Sequence, residues 1–402
     1  MTISTETEAE AALGTGGAIA TGTVATIRKP TICLCMIVRN EAAVIERCLD
    51  SVRDLIDCWI ISDTGSTDGT QDLIRKALAD IPGELREEPW VDFGHNRTRN
   101  IRRARGLADF LLLIDADMVL RQEGELPPLD ADAYLVRHAG DVSYRNLRLV
   151  RGDLPWRYQG STHEFLTAET QVNRMDLDEL VVEHHADGGS RSDKFERDAR
   201  LLTAEVERDP ANSRAVFYLA QTMRDLGRAA EAIALYERRA EMGGWEEEVY
   251  FARLQAGMLR AESGDWSGAM TGLVRAWEGR PQRLEACYEL ACRLRVKGDY
   301  HSALAFAAAG LNRPVPPDVL FVMPWIYRWG LLFEYSIASY WTGDYDVSLR
   351  ACDQLLQIPE LPETHRRQTV ANREFAVAKV ENVENLENAE KVEEGEKTAQ
   401  AA

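Results

Sequence analysis

Two aspartates separated by one small residue follow an apolar run in the stretch D-F-L-L-L-I-D-A-D-M, residues 109–118. The run 110–114 is continuously apolar, which predicts a strand covered on both faces, as in the sheet of an α/β protein. Asp115 and Asp117 would then lie at the carboxyl edge of that sheet, where open α/β sheets bind their ligands. Hard divalent cations prefer such carboxylate oxygens. The same D-x-D also fits an ordinary polar turn, so the preceding sequence decides its interpretation.

A second polar stretch, T-G-S-T-D-G-T at 64–70, follows another apolar segment that ends in Asp63. Gly65 and Gly69 allow backbone turns that other residues resist, and the side chains of 66–68 can cap a helix that begins after them. A strand, a glycine-containing polar turn and a helix amino terminus together favour anions such as nucleotide phosphates. The glycine spacing is neither that of G-x-G-x-x-G nor that of a Walker loop, so neither motif applies.

The elements that must position these residues alternate along the first part of the chain. Apolar strands are predicted at 31–38, 58–62 and 110–114, with helices at 44–52 and 96–108 between them. This alternation predicts a right-handed α/β unit with a parallel sheet. The second helix is basic, and most of its arginines are interpreted as a solvated face: Arg97, Arg99, Arg102, Arg103 and Arg105.

Four short motifs follow one another in this region: M-I-V-R-N-E at 36–41, S-D-T-G-S-T-D-G-T at 62–70, T-R-N at 98–100 and D-A-D-M at 115–118. Each motif is weakly specific alone, but their order and spacing are strongly specific together. Residues 30 to about 190 resemble a family 2 glycosyltransferase of the GT-A fold. The resemblance implies a Rossmann-like α/β domain with a mostly parallel sheet.

The resemblance also implies roles for residues that bind the donor. In that family the aspartate matching Asp63 holds the nucleotide base, and the D-x-D pair binds the ribose and the divalent metal on the donor diphosphate. Uridine diphosphate is the family's usual donor handle. The donor-binding residues implied here are Arg39, Glu41, Asp63, Arg99, Asn100 and Asp115. Lys194 and Arg197, just beyond the domain, could neutralise the diphosphate, or they could be solvated charges on a helix.

The metal site implied by the resemblance contains Asp117 as a direct ligand, with Asp115 beside it. GT-A enzymes often complete this site with a later histidine, which His184 or His185 in V-V-E-H-H resembles. The alternative is that one of the two histidines packs in the fold and neither binds metal. Magnesium or manganese suits two carboxylates, and a histidine ligand favours manganese.

A candidate base lies in W-R-Y-Q-G-S-T-H-E-F at 156–165. GT-A enzymes usually carry a carboxylate base on the acceptor side, and Glu164 resembles it, with Trp156 and Tyr158 as an apolar wall. Glu164 could instead be a surface carboxylate. His163 is a competing base, because an imidazole titrates near neutral pH.

From about residue 195 the sequence changes to long helical periodicity with a recurring phrase, as in S-G-D-W and K-G-D-Y. The repeated glycines are Gly227, Gly264, Gly298 and Gly343, at spacings of 37, 34 and 45 residues. Thirty-four residues is the tetratricopeptide period, in which paired antiparallel helices meet at a short turn. This half therefore resembles a tetratricopeptide-like superhelix. Its role would be a concave groove for an extended partner, or a purely structural one such as a dimer surface.

Four segments are predicted: a disordered segment at 1–29, the GT-A domain at 30–192, the helical repeat domain at 193–375, and an acidic tail at 376–402. The first segment lacks periodicity and is rich in Thr, Ala, Gly and Glu. The last is rich in glutamate and low in complexity, which predicts a disordered tail or a frayed helix.

The composition excludes several classes of function. A formal net charge of −19 over 402 residues argues against binding to nucleic acid or anionic membranes. No stretch reaches the roughly 18 to 20 apolar residues of a membrane span, and the acidic start is unlike a secretory signal. Seven cysteines without a C-x-x-C pair suggest a reducing cytoplasm.

The sequence therefore predicts a metal-dependent, inverting glycosyltransferase of the hexosyl-transferring type, with a UDP-sugar as donor. The resemblance extends to bacterial peptide glycosyltransferases that add helices to this fold, which favours a protein or peptide acceptor. A homodimer through the helical domain is a further expectation. The alternative from another class is a non-catalytic scaffold, built on the helical repeats, with a vestigial transferase domain.

Overall fold

The computed structural model of the chain describes residues 28–139, 144–185, 187–188 and 194–400, with side-chain burial described as far as residue 382. It consists of an α/β domain followed by a helical domain. Residues 1–27 of the predicted disordered segment lie outside the described residues. No helix in the described part of the chain is long and apolar enough to cross a membrane.

The α/β domain is built on one eight-stranded sheet in the order β3-β2-β1-β4-β7-β6-β10-β5, with β8 and β9 forming a separate hairpin. Strands β3, β2, β1 and β4 are parallel, and β7 then runs antiparallel to β4 and β6. The predicted GT-A-like α/β class with its mostly parallel sheet is confirmed. The elements are β1 Ile32–Val38, α1 Ile45–Val52, β2 Cys58–Asp63, α2 Thr70–Ala77, β3 Gly83–Glu87, α3 Phe93–Ala104, β4 Phe110–Leu113, β5 Met118–Gln122, β6 Ala133–Ala139, β7 Tyr144–Arg151, β8 Trp156–Gln159, β9 Phe165–Ala168 and β10 Arg174–His184.

The central strands are buried on both faces, as their continuous apolar runs predict. In β4, Phe110 and Leu112 belong to the core that also contains α1 and α2, whereas Leu111 and Leu113 belong to the core under α3 and the β8–β9 hairpin. Successive side chains of a strand point to opposite faces, so each face of β4 fills a different core. The sheet is thereby fixed between two layers, and its carboxyl edge remains open.

Helix α3 differs from its predicted range of 96–108. It begins at Phe93 because the carboxylate of Asp92 accepts a hydrogen bond from the backbone N–H of His95 at 2.7 Å. It ends at Ala104, two residues before Gly106, whose φ of 79° is left-handed. Strand β3 was not predicted, because its mostly exposed G-E-L-R-E has no apolar pattern.

The helical domain consists of antiparallel helix pairs. Gly227, Gly264, Gly298 and Gly343 have φ values of 74°, 86°, 85° and 91°, and each lies in the turn between the two helices of a pair. The predicted tetratricopeptide-like pairing is thus confirmed. The helices are α4 Lys194–Arg208, α5 Ser213–Asp225, α6 Ala229–Glu241, α7 Glu246–Glu262, α8 Trp266–Gly279, α9 Glu285–Lys297, α10 Tyr300–Ala309, α11 Leu331–Trp341, α12 Tyr345–Leu356 and α13 Glu363–Gln400, with a π-helical segment Ile326–Gly330 leading into α11.

The acidic tail at 376–402 was predicted to be either disordered or a frayed helix. In the structure, helix α13 continues into the tail as far as Gln400. The backbone is therefore helical in this stretch. Glu, Lys and Ala dominate this stretch and are all favourable helix formers.

Candidate active site

Two of the sequence motifs meet at the carboxyl edge of the sheet, where β1 and β2 end side by side. The backbone N–H of Asn40 donates to the Ser66 hydroxyl at 2.8 Å, and the Asn40 side chain accepts from the backbone of Thr67 at 2.8 Å. The N–H of Glu41 donates to the Thr70 hydroxyl at 2.9 Å. These bonds hold the R-N-E turn against the polar turn after β2 and form one wall of a cleft.

Asp63 ends β2 and is 1% exposed. Its Oδ1 accepts hydrogen bonds from the backbone N–H groups of Gly65 and Ser66, both at 2.9 Å, and from the Gln71 amide at 3.2 Å. Its Oδ2 has no hydrogen-bond partner among the described residues. A buried carboxylate oxygen without a donor is costly, which makes this oxygen a candidate acceptor for an N–H group of a ligand.

A cavity of about 300 Å³ opens beside this turn at the edge of the sheet. It contains side chains from β1, from α3, from the D-x-D loop and from α4. The predicted residues that line it are Arg39, Glu41, Asp115, Asp117, His184 and Lys194. Arg197, which the sequence pairs with Lys194 as a possible partner of the diphosphate, also lines it, and so do residues that the sequence did not assign to the site, including Trp90, Phe93 and Arg97.

Asp117 and His184 are 67 residues apart, yet the Nε2 of His184 lies 3.0 Å from Oδ2 of Asp117. The antiparallel pairing of β10 with β5 places His184 opposite Met118, the residue after Asp117. His185 takes a different role, since its backbone N–H donates to the Asp117 carbonyl at 3.0 Å. The structure thus brings Asp117 and the His184 ring together as an oxygen and nitrogen pair suited to manganese.

Asp115 is held by arginines. The guanidinium of Arg97 contacts it at 2.6 Å, and that of Arg148 lies 3.7 Å from its other oxygen. Burial opposes ionisation of Asp115, but the two arginines outweigh burial and keep the pKa of this carboxyl below its usual range. Asp115 therefore remains anionic, and its carboxylate contacts the two arginines.

Arg97 also contacts the candidate base. Its Nε donates to Oε1 of Glu164 at 2.7 Å, while the guanidinium lies 5.7 Å from the ring centre of Tyr158. Burial is the strongest influence on Glu164 and raises the pKa of its carboxyl, although Arg97 opposes that rise. A raised carboxyl pKa suits proton transfer near neutral pH.

The loop that carries Glu164 is fixed by the helical domain. Both the backbone N–H and the hydroxyl of Ser161 donate to Glu205 of α4, and the Thr162 hydroxyl donates to Asp198 of α4 at 3.2 Å. The Glu205 carboxylate also accepts from Asn212, the residue that caps α5, at 3.0 Å. Residues directly before the candidate base are therefore held by α4 and α5.

His163, the competing base, faces the helical domain. Its ring stacks on Tyr218 of α5 at 4.2 Å with an interplanar angle of 7°, and its carbonyl accepts from Arg214 at 3.1 Å. His163 does not line the cavity at the edge of the sheet, nor a second, adjacent cavity that is lined by Asp115 and Glu164. Burial lowers the pKa of this imidazole.

Three predicted donor-binding residues do not line the cavity: Asp63, which lies in the turn beside it, Asn100 and Arg99. The Asn100 amide donates to the carbonyls of Met36 and Ile60, each at 3.0 Å, so it ties α3 to the sheet from inside. Arg99 lies 3.3 Å from Glu88, away from the D-x-D loop. The arginine of α3 that does reach the loop is Arg97, two residues earlier, since positions two apart on a helix face different sides.

Arg97 and Arg148 are the functional candidates that sequence reasoning missed. Arg97 was interpreted as part of a solvated basic face. Arg148 sits on β7, 8% exposed, and its Nε donates to His138 at 3.1 Å. Burial and this guanidinium lower the pKa of His138 to about 4, so the imidazole accepts as a neutral group. The sequence did contain a signal for Arg148, because this arginine interrupts the otherwise apolar segment L-R-L-V at 147–150.

Glu205 offers a test of this arrangement. We expect Glu205→Gln to lower kcat about tenfold, because an NH2 group replaces one acceptor oxygen. A buried donor left without its acceptor costs about 1–3 kcal/mol, and the loop then loses its fixed position. Donor affinity should stay unchanged, since Glu205 does not line the donor cavity. Steady-state kinetics with donor titration would measure both quantities.

Glu207→Gln, an exposed change on the same helix, is the matched control. A purely structural role for Glu205 would lower the melting temperature and the amount of active enzyme while leaving kcat per folded molecule intact. That outcome would contradict the positioning role.

Comparison with known proteins agrees with this geometry. Residues 33–185 match the model of the family described as Glycosyl transferase family 2. All four motifs of the sequence analysis fall within this segment, and the resemblance that they carry is confirmed. Residues 33–185 are therefore a family 2 glycosyltransferase domain, and a tetratricopeptide-like helical domain follows it.

The names of two curated relatives each mention one of these two features. A TPR repeat-containing protein of Synechococcus elongatus is 30% identical over 308 residues, which cover 71% of this chain and 66% of that protein. The SPbeta prophage-derived glycosyltransferase SunS of Bacillus subtilis is 26% identical over 222 residues, which cover 51% of this chain and 52% of SunS. The chain thus spans between about half and two thirds of the length of these relatives.

Two solved structures that resemble the chain each overlap with less than half of it. The MamA protein aligns at a TM-score of 0.34 and 16% identity, covering 42% of this chain and 84% of MamA. The C-terminal part of a TPR repeat-containing protein from Cytophaga hutchinsonii aligns at a TM-score of 0.37 and 14% identity, covering 48% and 69% of the two chains.

Proposed function

We propose that this chain is a metal-dependent, inverting glycosyltransferase that moves a hexosyl group from a UDP-sugar to a protein or peptide side chain. One observation carries the proposal: Arg97 contacts both Asp115 and Glu164. Arg97 and Asp115 line the cavity already described and also a second, adjacent cavity, and Glu164 lines the second one. The family 2 domain at 33–185 supports the reaction class. The orphaned oxygen of Asp63 supports a nucleotide base as part of the donor.

The residues at the cleft fit a divalent metal. Asp117 and His184 offer one carboxylate and one imidazole within 3.0 Å of each other, and magnesium or manganese usually adds substrate phosphates and water to one or two protein ligands. No cluster of three or more metal-ligating side chains occurs among the described residues, so the donor diphosphate would have to complete the coordination. When bound, the metal would neutralise charge that builds on the departing diphosphate.

Glu164 accepts the proton of the acceptor nucleophile in the proposed reaction. The bond from the nucleophile to the anomeric carbon forms as the bond to the diphosphate oxygen breaks, and the proton moves to the Glu164 carboxylate. A single displacement of this kind inverts the configuration at the anomeric carbon. Lys194 and Arg197 lie in the donor cavity and would attract the diphosphate.

The helical domain would present the acceptor. Repeat superhelices offer concave surfaces for extended chains, and α4 and α5 already hold the loop that carries Glu164. This placement favours a polypeptide acceptor.

A homodimer formed through the helices remains a prediction. A cytoplasmic location also remains a prediction, and it is supported by the seven cysteines, which are all free thiols.

A screen of nucleotide-sugars, each with manganese and the purified full chain, tests the proposal. Mass spectrometry would follow donor hydrolysis and any mass gain on candidate peptides, and calorimetry would measure UDP binding. We expect UDP-sugars to be consumed, and Asp63→Asn to weaken UDP binding, because an amide offers the base a donor where it needs an acceptor. If no donor were bound or consumed, the non-catalytic scaffold would be the better interpretation.

A further inference from the structure

A second cavity of about 580 Å³ lies on the acceptor side of the wall formed by Arg97, Asp115 and Glu164. Its lining includes three more arginines: Arg148, Arg174 and Arg214. The two carboxylates in the lining are both already in contact with Arg97. The cavity is therefore strongly basic, in a chain whose formal net charge is −19.

Two of these arginines have no carboxylate partner among the described residues. Arg174 begins β10 and is exposed, and its side chain makes no hydrogen bond or ion pair to any described residue. Arg214 of α5 donates to the His163 carbonyl and lies over the rings of Phe165 and Tyr218, at 4.9 and 4.8 Å. Their charges are thus available to a ligand inside the cavity.

The walls of the cavity also favour a peptide. Phe165 directly follows the candidate base and is 41% exposed, next to a polar edge that includes Asn146 and Thr167. One wall belongs to the α/β domain and another to α5 of the repeat domain, since Arg214 reaches in from that helix. An extended segment lying along the repeats would enter the cavity beside Glu164.

We propose that this cavity selects an acceptor peptide with carboxylate or phosphate groups flanking the nucleophilic side chain, and that Arg174 and Arg214 bind those groups. The inference rests on the proposed glycosyl transfer and names its acceptor class. Guanidinium groups bind carboxylates and phosphates through paired hydrogen bonds. The positive cavity also offsets the repulsion that an acidic chain would exert on an acidic peptide.

Three fluorescein-labelled heptapeptides with a central serine provide the probes. One has Asp and Glu on both sides, one has Asn and Gln instead, and one has phosphoserine at the flanking positions. Fluorescence anisotropy with the full chain, UDP and manganese measures Kd for each. We expect the acidic peptide to bind at least about tenfold more tightly than the amide peptide, the difference that one well-placed charged pair supplies. The phosphoserine peptide shows which of the two anions binds better.

Variants assign the effect to the cavity. Arg174→Gln should raise Kd for the acidic peptide about tenfold without changing that for the amide peptide, and Arg174→Lys should restore part of the difference because it keeps the charge. Arg214→Gln should act in the same direction. Arg200→Gln, an exposed arginine of α4 that lines neither cavity, is the matched control and should leave both values unchanged.

The outcomes separate this inference from the proposed function. The inference would be wrong if the acidic and amide peptides bound with equal affinity, or if neither bound. It would also be wrong if Arg174→Gln and Arg200→Gln changed the Kd of the acidic peptide equally. If glucuronic acid bound and none of the three peptides did, the proposal of a peptide acceptor would be wrong, and an acidic saccharide would be the better interpretation. UDP binding with manganese is measured in the same samples, so a failed acceptor site and a failed donor site give different results.

Discussion

Replacing Asp117 with alanine is expected to lower kcat by at least about a thousandfold, because metal stabilisation of a departing diphosphate is worth several kcal/mol. The Asp117 carboxylate lies at the cleft beside the His184 ring. Without it, the imidazole alone would hold the metal poorly. Manganese should then no longer tighten UDP binding, which calorimetry with and without manganese would measure.

The fold should survive this change. The Asp117 carbonyl, not its side chain, accepts the hydrogen bond from His185, so the β5–β10 pairing keeps its contacts. His184→Ala is expected to act in the same direction with a smaller loss. Asp178→Ala removes an exposed carboxylate of β10 that pairs with Arg145 outside both cavities, and it serves as the control. Full metal-dependent turnover by Asp117→Ala would exclude this residue as the ligand.

Replacing Glu164 with glutamine is expected to lower kcat by about 10²–10⁴-fold with nearly unchanged donor affinity. Glutamine keeps the shape and can still accept the hydrogen bond from Arg97, but it cannot take a proton. The loop should stay in place, because its contacts with α4 come from Ser161 and Thr162. Rapid-quench kinetics at saturating donor would measure the loss in the chemical step.

His163→Ala is the decisive comparison for the base. The imidazole stacks on Tyr218, away from the shared wall, so its loss should affect loop position more than proton transfer. A larger fall in kcat for His163→Ala, with Glu164→Gln near wild type, would transfer the role to the histidine.

The pH dependence adds a second readout for Glu164. Burial raises the pKa of this carboxyl, and a base must be ionised, so activity should fall on the acid side at a higher pH than for an ordinary glutamate. Arg97 lowers the pKa of Glu164 by stabilising its anion. Arg97→Gln should therefore raise the pKa of Glu164 and move the acid limb of the kcat–pH profile to higher pH. Glu164→Gln should abolish that limb.

The position of α4 affects how the domains can be separated. Lys194 and Arg197 line the donor cavity, and Asp198 and Glu205 hold the Ser161–Thr162 turn. A chain cut near residue 192, at the predicted boundary, would lose all four side chains. We expect such a fragment to bind the donor weakly and to lose the fixed loop, so a functional unit must include α4 and α5.

The sequence by itself determined the class of fold and the elements that end at the cleft. Strand 110–114 and the turn at 64–70 were predictable because burial on both faces and glycine-containing turns leave local patterns. The glycines at 227, 264, 298 and 343 were predictable for the same reason, since each allows the left-handed turn between paired helices. Local patterns also placed Asp63, Asp115 and Asp117 at strand ends.

Only the tertiary structure decided which side chains meet there. His184 reaches Asp117 through the β5–β10 pairing, whose register no local pattern contains. Arg97 was indistinguishable from its basic neighbours, because a helix face becomes buried only when it packs against the sheet. Glu164 was a carboxylate in an irregular loop, and its position depends on α4 and α5, which follow it by 30 residues or more. These contacts join segments far apart in sequence, so their geometry depends on the whole fold.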